Sequence, residues 1–261
     1  MNVLSLGAGV QSTVMALMAA QGEIKPMPDC AIFADTQFEP ESVYTHLDWL
    51  ETQLPFPVYR VTAGNIRSDA VTGTNTTGGN FSSVPFFLAE SGMARRQCTK
   101  EYKIVPIRRK ISELVVNKKT PGSVRQWIGI STDEAMRMKP SDVKYIVNVW
   151  PLIDAEMSRQ DCLRWFEKRY PLRPLAKSAC IGCPFRNDDG WREMKVKDPV
   201  SWADAVSFDK AIRNSGQLKS QRREMFVHRS CKPLDEVDFR NLEDMGQINM
   251  FNNECEGMCG V

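Results

Sequence analysis

Short apolar runs alternate along the chain with segments in which apolar residues recur every three or four positions. In the first part of the chain, residues 1–6, 30–34 and 57–61 are typical of buried strands. Residues 12–20 and 43–54 lie between them and have the period of amphipathic helices. Because strands and helices of this length alternate, we expect right-handed crossovers and a parallel sheet. The pattern therefore predicts an α/β fold with helices on both faces of the sheet.

The alternation continues further along. An amphipathic helix is expected over residues 104–114, with strands at 127–130 and 143–149. Ser158 and Asp161 form a capping signal for a following helix, and the chain after Cys183 looks mainly helical. Residues 62–80 are polar, rich in glycine and without an apolar period, so we expect a mobile loop over the active site there.

Composition narrows the class of protein. The 261 residues are 42% hydrophobic and 25% charged with a formal charge of +2, which fits a globular chain without a general preference for polyanions. Eight cysteines are too few for a disulfide scaffold of this length. No charged segment followed by an apolar run opens the sequence, and no apolar run reaches about 20 residues. We therefore expect a cytoplasmic protein with no membrane partner.

The first glycine-rich turn follows a strand and opens a helix. In the run from Ser5 to Thr13, Gly7 and Gly9 lie where backbone N–H groups and the positive end of a helix converge on an anion. Phosphate or sulfate is the ligand that such a loop favours. The lysine of a Walker A loop is absent, and a plain tight turn remains the alternative.

Two further polar segments follow predicted strands. Asp35 and Thr36 could reach a ribose, an adenine or a magnesium ion, although Thr36 and Glu39 also match a helix capping box. Asp133 and Arg137 could face a phosphoryl or sulfuryl group, although they also suit a salt-bridged helix start.

Cysteine spacing indicates a metal site. Cys180 and Cys183 form a Cys-x-x-Cys pair before a proline, which is typical of zinc or iron–sulfur ligation. The cysteines that could complete the set are Cys98, Cys231, Cys255 and Cys259. Cys30 and Cys162 fall in apolar contexts and are expected to be packing residues. The two histidines, His46 and His228, are expected to be structural.

The order of these motifs resembles the phosphoadenosine phosphosulfate (PAPS) reductase family. The motifs are S-L-G-x-G-x-Q-S, A-D-T-x-F-x-P-E, Q-C-T-x-x-Y-K-x-x-P, G-I-S-x-D-E, P-L-I-D and C-I-G-C-P, and together they cover most of the chain. That family belongs to the adenine nucleotide alpha-hydrolase superfamily, also called PP-loop, which includes ATP pyrophosphatases that thiolate nucleic acid. The resemblance implies a doubly wound parallel sheet, with a nucleotide-binding domain over residues 1–175. Residues 176–261 would form a helical, cysteine-bearing extension packed on that domain.

The resemblance also assigns roles to residues. The phosphate or sulfate would bind at Ser5, Gly7, Gly9, Gln11 and Ser12. Asp35 and Thr36 would hold the adenosine end, and Asp133 and Arg137 would close the site. The segment from Glu254 to Val261 is similar to the E-C-G-(I/L)-H ending that carries the reductases' catalytic cysteine, so Cys259 or Cys255 would attack sulfur.

The implied metal is a [4Fe–4S] cluster held by Cys98, Cys180, Cys183 and a tail cysteine such as Cys255, with zinc as the alternative. Gln97 replaces the first cysteine of the Cys-Cys pair found in iron–sulfur members, and the final histidine of the family's ending is missing. The expected activity is sulfonucleotide reduction of PAPS or adenosine phosphosulfate, with a thiol reductant such as thioredoxin.

Two alternatives stay open. The first is an ATP-dependent sulfurtransferase that adenylates and thiolates tRNA or DNA, with magnesium as a candidate ion and basic clusters as the nucleic-acid surface. Against it, Gln11 stands where the ATP pyrophosphatases carry an aspartate. The second is a zinc-stabilised nucleotide-binding module without catalysis.

Overall fold

A computed structural model describes residues 1–79, 82–89, 92–118, 120–213 and 224–240 of the chain. The catalytic and ligating roles expected for Cys255 and Cys259 therefore fall outside the described residues.

The centre of the fold is a five-stranded sheet in which every neighbouring pair is parallel. Its strands are β1 (Asn2–Leu6), β2 (Cys30–Asp35), β3 (Val58–Thr62), β6 (Val124–Ile128) and β7 (Ile146–Val149). Their spatial order is β3-β2-β1-β6-β7, so the chain leaves β1 in one direction and returns to its other side through β6. Such a reversal of strand order opens a crevice at the carboxyl ends of the central strands.

Helices flank both faces of this sheet. The helices are α1 (Val10–Ala20), α2 (Glu41–Gln53), α4 (Val105–Leu114), α5 (Pro151–Asp154) and α6 (Arg159–Arg169). One face of the sheet packs Leu4, Phe33 and Trp127 against α1, α2 and α6. The other face packs Val3 and Ile32 against α4. The α/β class expected from the apolar pattern is confirmed.

A second layer packs around a smaller antiparallel sheet. Its strands are β4 (Phe87–Leu88), β5 (Gly92–Met93) and β8 (Met225–Phe226), in the order β5-β4-β8. The helices around it are α3 (Ile66–Thr72), α7 (Asp188–Lys197) and α8 (Pro199–Arg213). Tyr102, Trp191 and Phe208 fill the apolar core that joins these elements.

Three shorter helical turns complete the described chain: a π-helix at Thr99–Ile104 that runs into α4, and 3₁₀ turns at Thr132–Arg137 and Leu234–Glu236. None of the helices in the described ranges has the length and apolar character needed to cross a bilayer.

The expectation of a loop across residues 62–80 is wrong, because α3 lies within it. The Asn65 side chain caps α3 by accepting from the Ser68 N–H at 3.0 Å, and Gly73 ends it in the left-handed region. The Glu101 carboxylate ties down the following turn by accepting from the Thr76 and Ser83 hydroxyls. These contacts hold the segment against the π-helix.

The alternative interpretation of Thr36 and Glu39 as a helix capping box is wrong, because α2 begins later, at Glu41, with Pro40 as its N-cap. The capping box at Ser158 and Asp161 is confirmed at the start of α6.

Candidate functional site

The glycine turn after β1 is arranged as an anion-binding loop. Gly9 is the N-cap of α1, and no side chain caps this helix end. The Ser12 hydroxyl folds back to accept from the Gly7 N–H at 3.1 Å, which fixes the turn, and Ala8 between them takes a left-handed backbone conformation. The uncapped N–H groups and the positive end of the helix dipole therefore face the crevice.

The end of β6 approaches this loop closely. A Cβ atom on Gly129 would lie 3.0 Å from the backbone nitrogen of Ser12. Only glycine allows the two backbones to come this close, so the turn after β6 forms one wall of the anion loop.

A cavity of about 220 Å³, which we call the anion cavity, opens at this point between the anion loop, the sheet and α4. Its described lining includes Ser5, Gly7, Gly9, Gln11 and Ser12, the five residues for which the resemblance implies phosphate or sulfate binding. The charged residues of the described lining are six cations and one acid: Lys103, Arg108, Arg137, Arg159, Lys177, Arg186 and Glu134. A concave surface with this charge favours a polyanion.

One hydrogen-bond network joins the loop to the 3₁₀ turn at Thr132–Arg137. The Glu134 carboxylate accepts from the Gln11 amide at 3.2 Å and from the Arg137 guanidinium at 2.5 Å. Arg137 is thereby held at the cavity wall.

The acidic residues assigned by the sequence lie elsewhere. Asp35 accepts from the Tyr44 hydroxyl at 2.8 Å and from the Gln37 N–H at 2.7 Å, and it is not part of the cavity lining. Asp133 accepts from the Arg159 N–H at 2.9 Å, at the start of α6. Burial raises the pKa of Asp133, but hydrogen bonds from Ser131 and Arg159 outweigh it and hold that pKa below its usual range. Both aspartates therefore support local turns.

A second, smaller cavity of about 30 Å³, which we call the cysteine cavity, is lined by cysteines. Cys98, Cys180 and Cys183 all line it, together with Thr36, Phe38 and other neighbours. Cys183 and two further residues, Thr99 and Lys103, line both cavities. The cysteine cavity and the anion cavity thus share a wall.

Buried polar groups surround the Cys180 thiol. Its sulfur lies 3.3 Å from the Thr36 hydroxyl and 3.8 Å from Oε1 of Glu39. Glu39 is almost fully buried, and the Lys103 ammonium lies 3.5 Å from the same Oε1 atom. Thr36, expected near adenosine, contacts Cys180 and lines the cysteine cavity.

The turn that carries the pair is tightly packed. The Cys183 N–H donates to the Cys180 carbonyl at 3.1 Å, and the Ile181 N–H donates to the Phe38 carbonyl at 2.8 Å. A Cβ atom on Gly182 would come within 2.3 Å of the Phe208 ring. The turn can pack in this position only because residue 182 is glycine.

The chemistry of these three thiols fits a thiophilic metal, since thiolate sulfur selects zinc and iron–sulfur clusters. Their arrangement alone is incomplete: within the described ranges, no three or more His, Cys, Asp or Glu side chains form a group that could hold a metal ion. The fourth ligand expected from Cys255 or Cys259 lies outside the described residues.

Cys30, Cys162 and the two histidines lie in packed surroundings. Burial raises the pKa of Cys30 to about 11 and that of Cys162 to about 12, so both thiols stay protonated packing groups. His46 bonds to Thr13 beneath α1, and His228 bonds to Asp188 and Ser230. Cys231 lies beside Arg229 and is absent from the lining of both cavities.

Sequence reasoning missed several residues of the anion cavity. Gln126 and Asn148, both in mid-strand, line it, as do Lys177 and Arg186 on either side of the cysteine pair. The signal that could have revealed the first two is a polar side chain on an otherwise apolar strand face.

Compared with known proteins, the chain matches no protein-family model and no curated protein sequence.

Proposed function

We propose that the chain is a PAPS reductase-like enzyme that reduces an adenosine sulfonucleotide, built on a doubly wound sheet of the adenine nucleotide alpha-hydrolase type. The observation that carries this proposal is the wall shared by the two cavities. A cationic, glycine-looped cavity for an oxyanion adjoins three thiols through Thr99, Lys103 and Cys183. Sulfuryl transfer to a thiol needs these two chemistries side by side.

The chain's own residues would bind and orient the nucleotide. The N–H groups of the anion loop would hold the phosphosulfate, with Arg137 donating to its oxygens and Gln11 positioned by Glu134. The neighbouring cations would lower the pKa of an attacking thiol, because thiolate is the nucleophile.

The chemical step proposed is attack of a tail cysteine thiolate, Cys255 or Cys259, on the sulfuryl sulfur. The new S–S bond forms as the bond from sulfur to the bridging phosphate oxygen breaks, and the nucleotide leaves with that electron pair. A dithiol reductant of the thioredoxin class would then attack the cysteine sulfur and release sulfite. Its two thiols supply the two electrons and become a disulfide.

Cys98, Cys180 and Cys183 would hold the metal, with a tail cysteine as the fourth ligand. A bound [4Fe–4S] cluster, or zinc in its place, would tie the tail to the cysteine cavity, because thiolate sulfur ligates both. Thr36 and Glu39 would orient the Cys180 sulfur.

The test is anaerobic binding of PAPS, adenosine phosphosulfate and ATP side by side, followed by sulfite release with a dithiol. We expect a sulfonucleotide to bind best and to be turned over, and the double variant Cys255→Ser, Cys259→Ser to bind it without turnover. Full turnover by that variant would refute the reductase mechanism, and failure of all three nucleotides to bind would refute the proposal.

One observation favours a second candidate, the ATP-dependent sulfurtransferase. Glu134 places a carboxylate within the anion cavity, and magnesium in nucleotide sites is commonly held by one or two carboxylates together with the phosphates. The test is pyrophosphate release from ATP and magnesium on addition of tRNA or DNA. Release that depends on nucleic acid would support this candidate, whereas preferential turnover of a sulfonucleotide would exclude it.

A further inference from the structure

Two amide side chains lie next to each other on one face of the sheet. Gln126 of β6 and Asn148 of β7 are partners in the parallel register. The residues that precede them on the same face, Val124 and Ile146, are buried in the apolar core under α4. A polar pair on such a face is unexpected from packing alone.

Both amides line the anion cavity. Apolar side chains in that lining include Ile107 of α4, Ile104 just before this helix, and Ile128, two residues beyond Gln126 on the same strand. This part of the cavity therefore offers apolar walls with one polar edge, which suits a flat heteroaromatic ring.

A hydrogen bond fixes the orientation of Asn148. Its Nδ2 atom donates to the Lys139 carbonyl at 2.8 Å. This bond uses one of the two Nδ2 hydrogens and fixes the plane of the amide, so Oδ1 has a set position from which it can only accept. Arg108 donates to Asp142 close by, which links α4 to the segment that leads into β7.

Gln126 and Asn148 lie where the base of a nucleotide would reach if its phosphate were bound at the anion loop. Gln126 is paired with Val3 of β1, and Val3 lies four residues before Gly7 along the chain. At the usual rise of a strand, the amide pair lies about 13 Å along the sheet from the anion loop. A phosphate bound at the loop thus leaves room for a sugar and a base that extends toward Gln126 and Asn148.

We propose that Gln126 and Asn148 read the edge of the base and select adenine over 6-oxopurines. The adenine amine donates to Oδ1 of Asn148, and the neighbouring ring nitrogen accepts from the Gln126 amide. Hypoxanthine and guanine present a carbonyl oxygen and a ring N–H in those places, so the fixed Oδ1 atom repels the carbonyl. This inference rests on the proposed function, since it requires an adenosine nucleotide in the anion cavity.

The test compares adenosine monophosphate with inosine monophosphate, which differ in the group at the reading edge and in the ring N–H. Dissociation constants are measured by calorimetry for the wild type, for Gln126→Leu and Asn148→Leu, and for Asn117→Leu, an exposed asparagine outside the cavity. We expect the wild type and the control to prefer the adenine nucleotide about tenfold. In each cavity variant the preference falls below about threefold, chiefly through weaker binding of adenosine monophosphate.

A third ligand, purine riboside monophosphate, lacks the amine and tests the inference on the wild type alone. The wild type is expected to bind it several-fold more weakly than adenosine monophosphate. Equal affinity of the wild type for all three nucleotides, or an unchanged preference in both leucine variants, overturns the inference and leaves the proposed function intact. If the wild type binds none of them, the inference fails, while the proposed function is decided separately by the binding of PAPS, adenosine phosphosulfate and ATP.

Discussion

The anion cavity and the cysteine cavity share a wall but differ in how much of each the described chain supplies. The anion cavity has its glycine loop, its helix end and six cations in place. The cysteine cavity has three thiols that do not by themselves form a metal-binding group. Under the proposed function, oxyanion binding would depend on the sheet and its loops, whereas the sulfur chemistry would also require Cys255 or Cys259.

The largest effect should come from removing cavity thiols. Cys180→Ala and Cys183→Ala each delete an expected ligand, and removal of one ligand is expected to abolish stoichiometric metal binding, measured as iron and zinc content after anaerobic purification. Cys30→Ala and Cys162→Ala are the matched controls, because those thiols are buried packing groups. Metal loss in the controls, or full metal content in both cavity variants, would contradict the assignment.

Removing a cation from the anion cavity should weaken nucleotide binding without changing metal binding. Arg137→Ala would delete the proposed charged donor to the oxyanion, which is worth about 1.5 to 3 kcal/mol, so nucleotide affinity should fall roughly 10- to 150-fold. Metal content should not change. Arg164→Ala is the control, since Arg164 is an exposed residue of α6 paired with Asp161. Equal losses of affinity in both variants would show that only general charge matters.

Adding a methyl group to the cysteine turn should destabilise the protein. The Cβ atom of Gly182→Ala would meet the Phe208 ring at 2.3 Å, and overpacking of this kind costs about 3 kcal/mol. In the anion loop, a Cβ atom on Gly7 would have its nearest contact at 3.6 Å, so Gly7→Ala should change stability much less. Denaturant unfolding measures both, and equal losses would refute the packing argument.

His46, which bonds to Thr13 of α1, should make the stability of the fold sensitive to acid. Burial lowers the pKa of His46 from 6.5 to about 4 in the folded protein, with Arg173 adding to the effect. As the pH falls from 7 to 5, the unfolded chain gains a proton on this residue and the folded chain does not. The free energy of unfolding should therefore fall by about 2 kcal/mol from this group. Denaturant unfolding of His46→Phe should show a correspondingly smaller loss, and an unchanged pH dependence would contradict the assignment.

Much of the sheet could be predicted from the sequence, because buried parallel strands such as β1 and β2 are continuous apolar runs. Helix α3 was missed because it is short and buries only Ile66 and Ala70. The anion loop could be predicted because its glycines and hydroxyls are consecutive. Gln126 and Asn148 stand out in the sequence only as polar residues on apolar strands, and their pairing could not be predicted because the parallel register alone brings them together.

The central claim is that a bound nucleotide and the cysteines meet at one wall, and thiol alkylation tests it most directly. Cys183 lines both cavities, whereas Cys231 lines neither. The alkylation rate of each cysteine is measured by peptide mass spectrometry. We expect a saturating sulfonucleotide to slow alkylation of Cys183 and to leave the rate at Cys231 unchanged. Binding of the nucleotide without any change in the Cys183 rate would contradict the account.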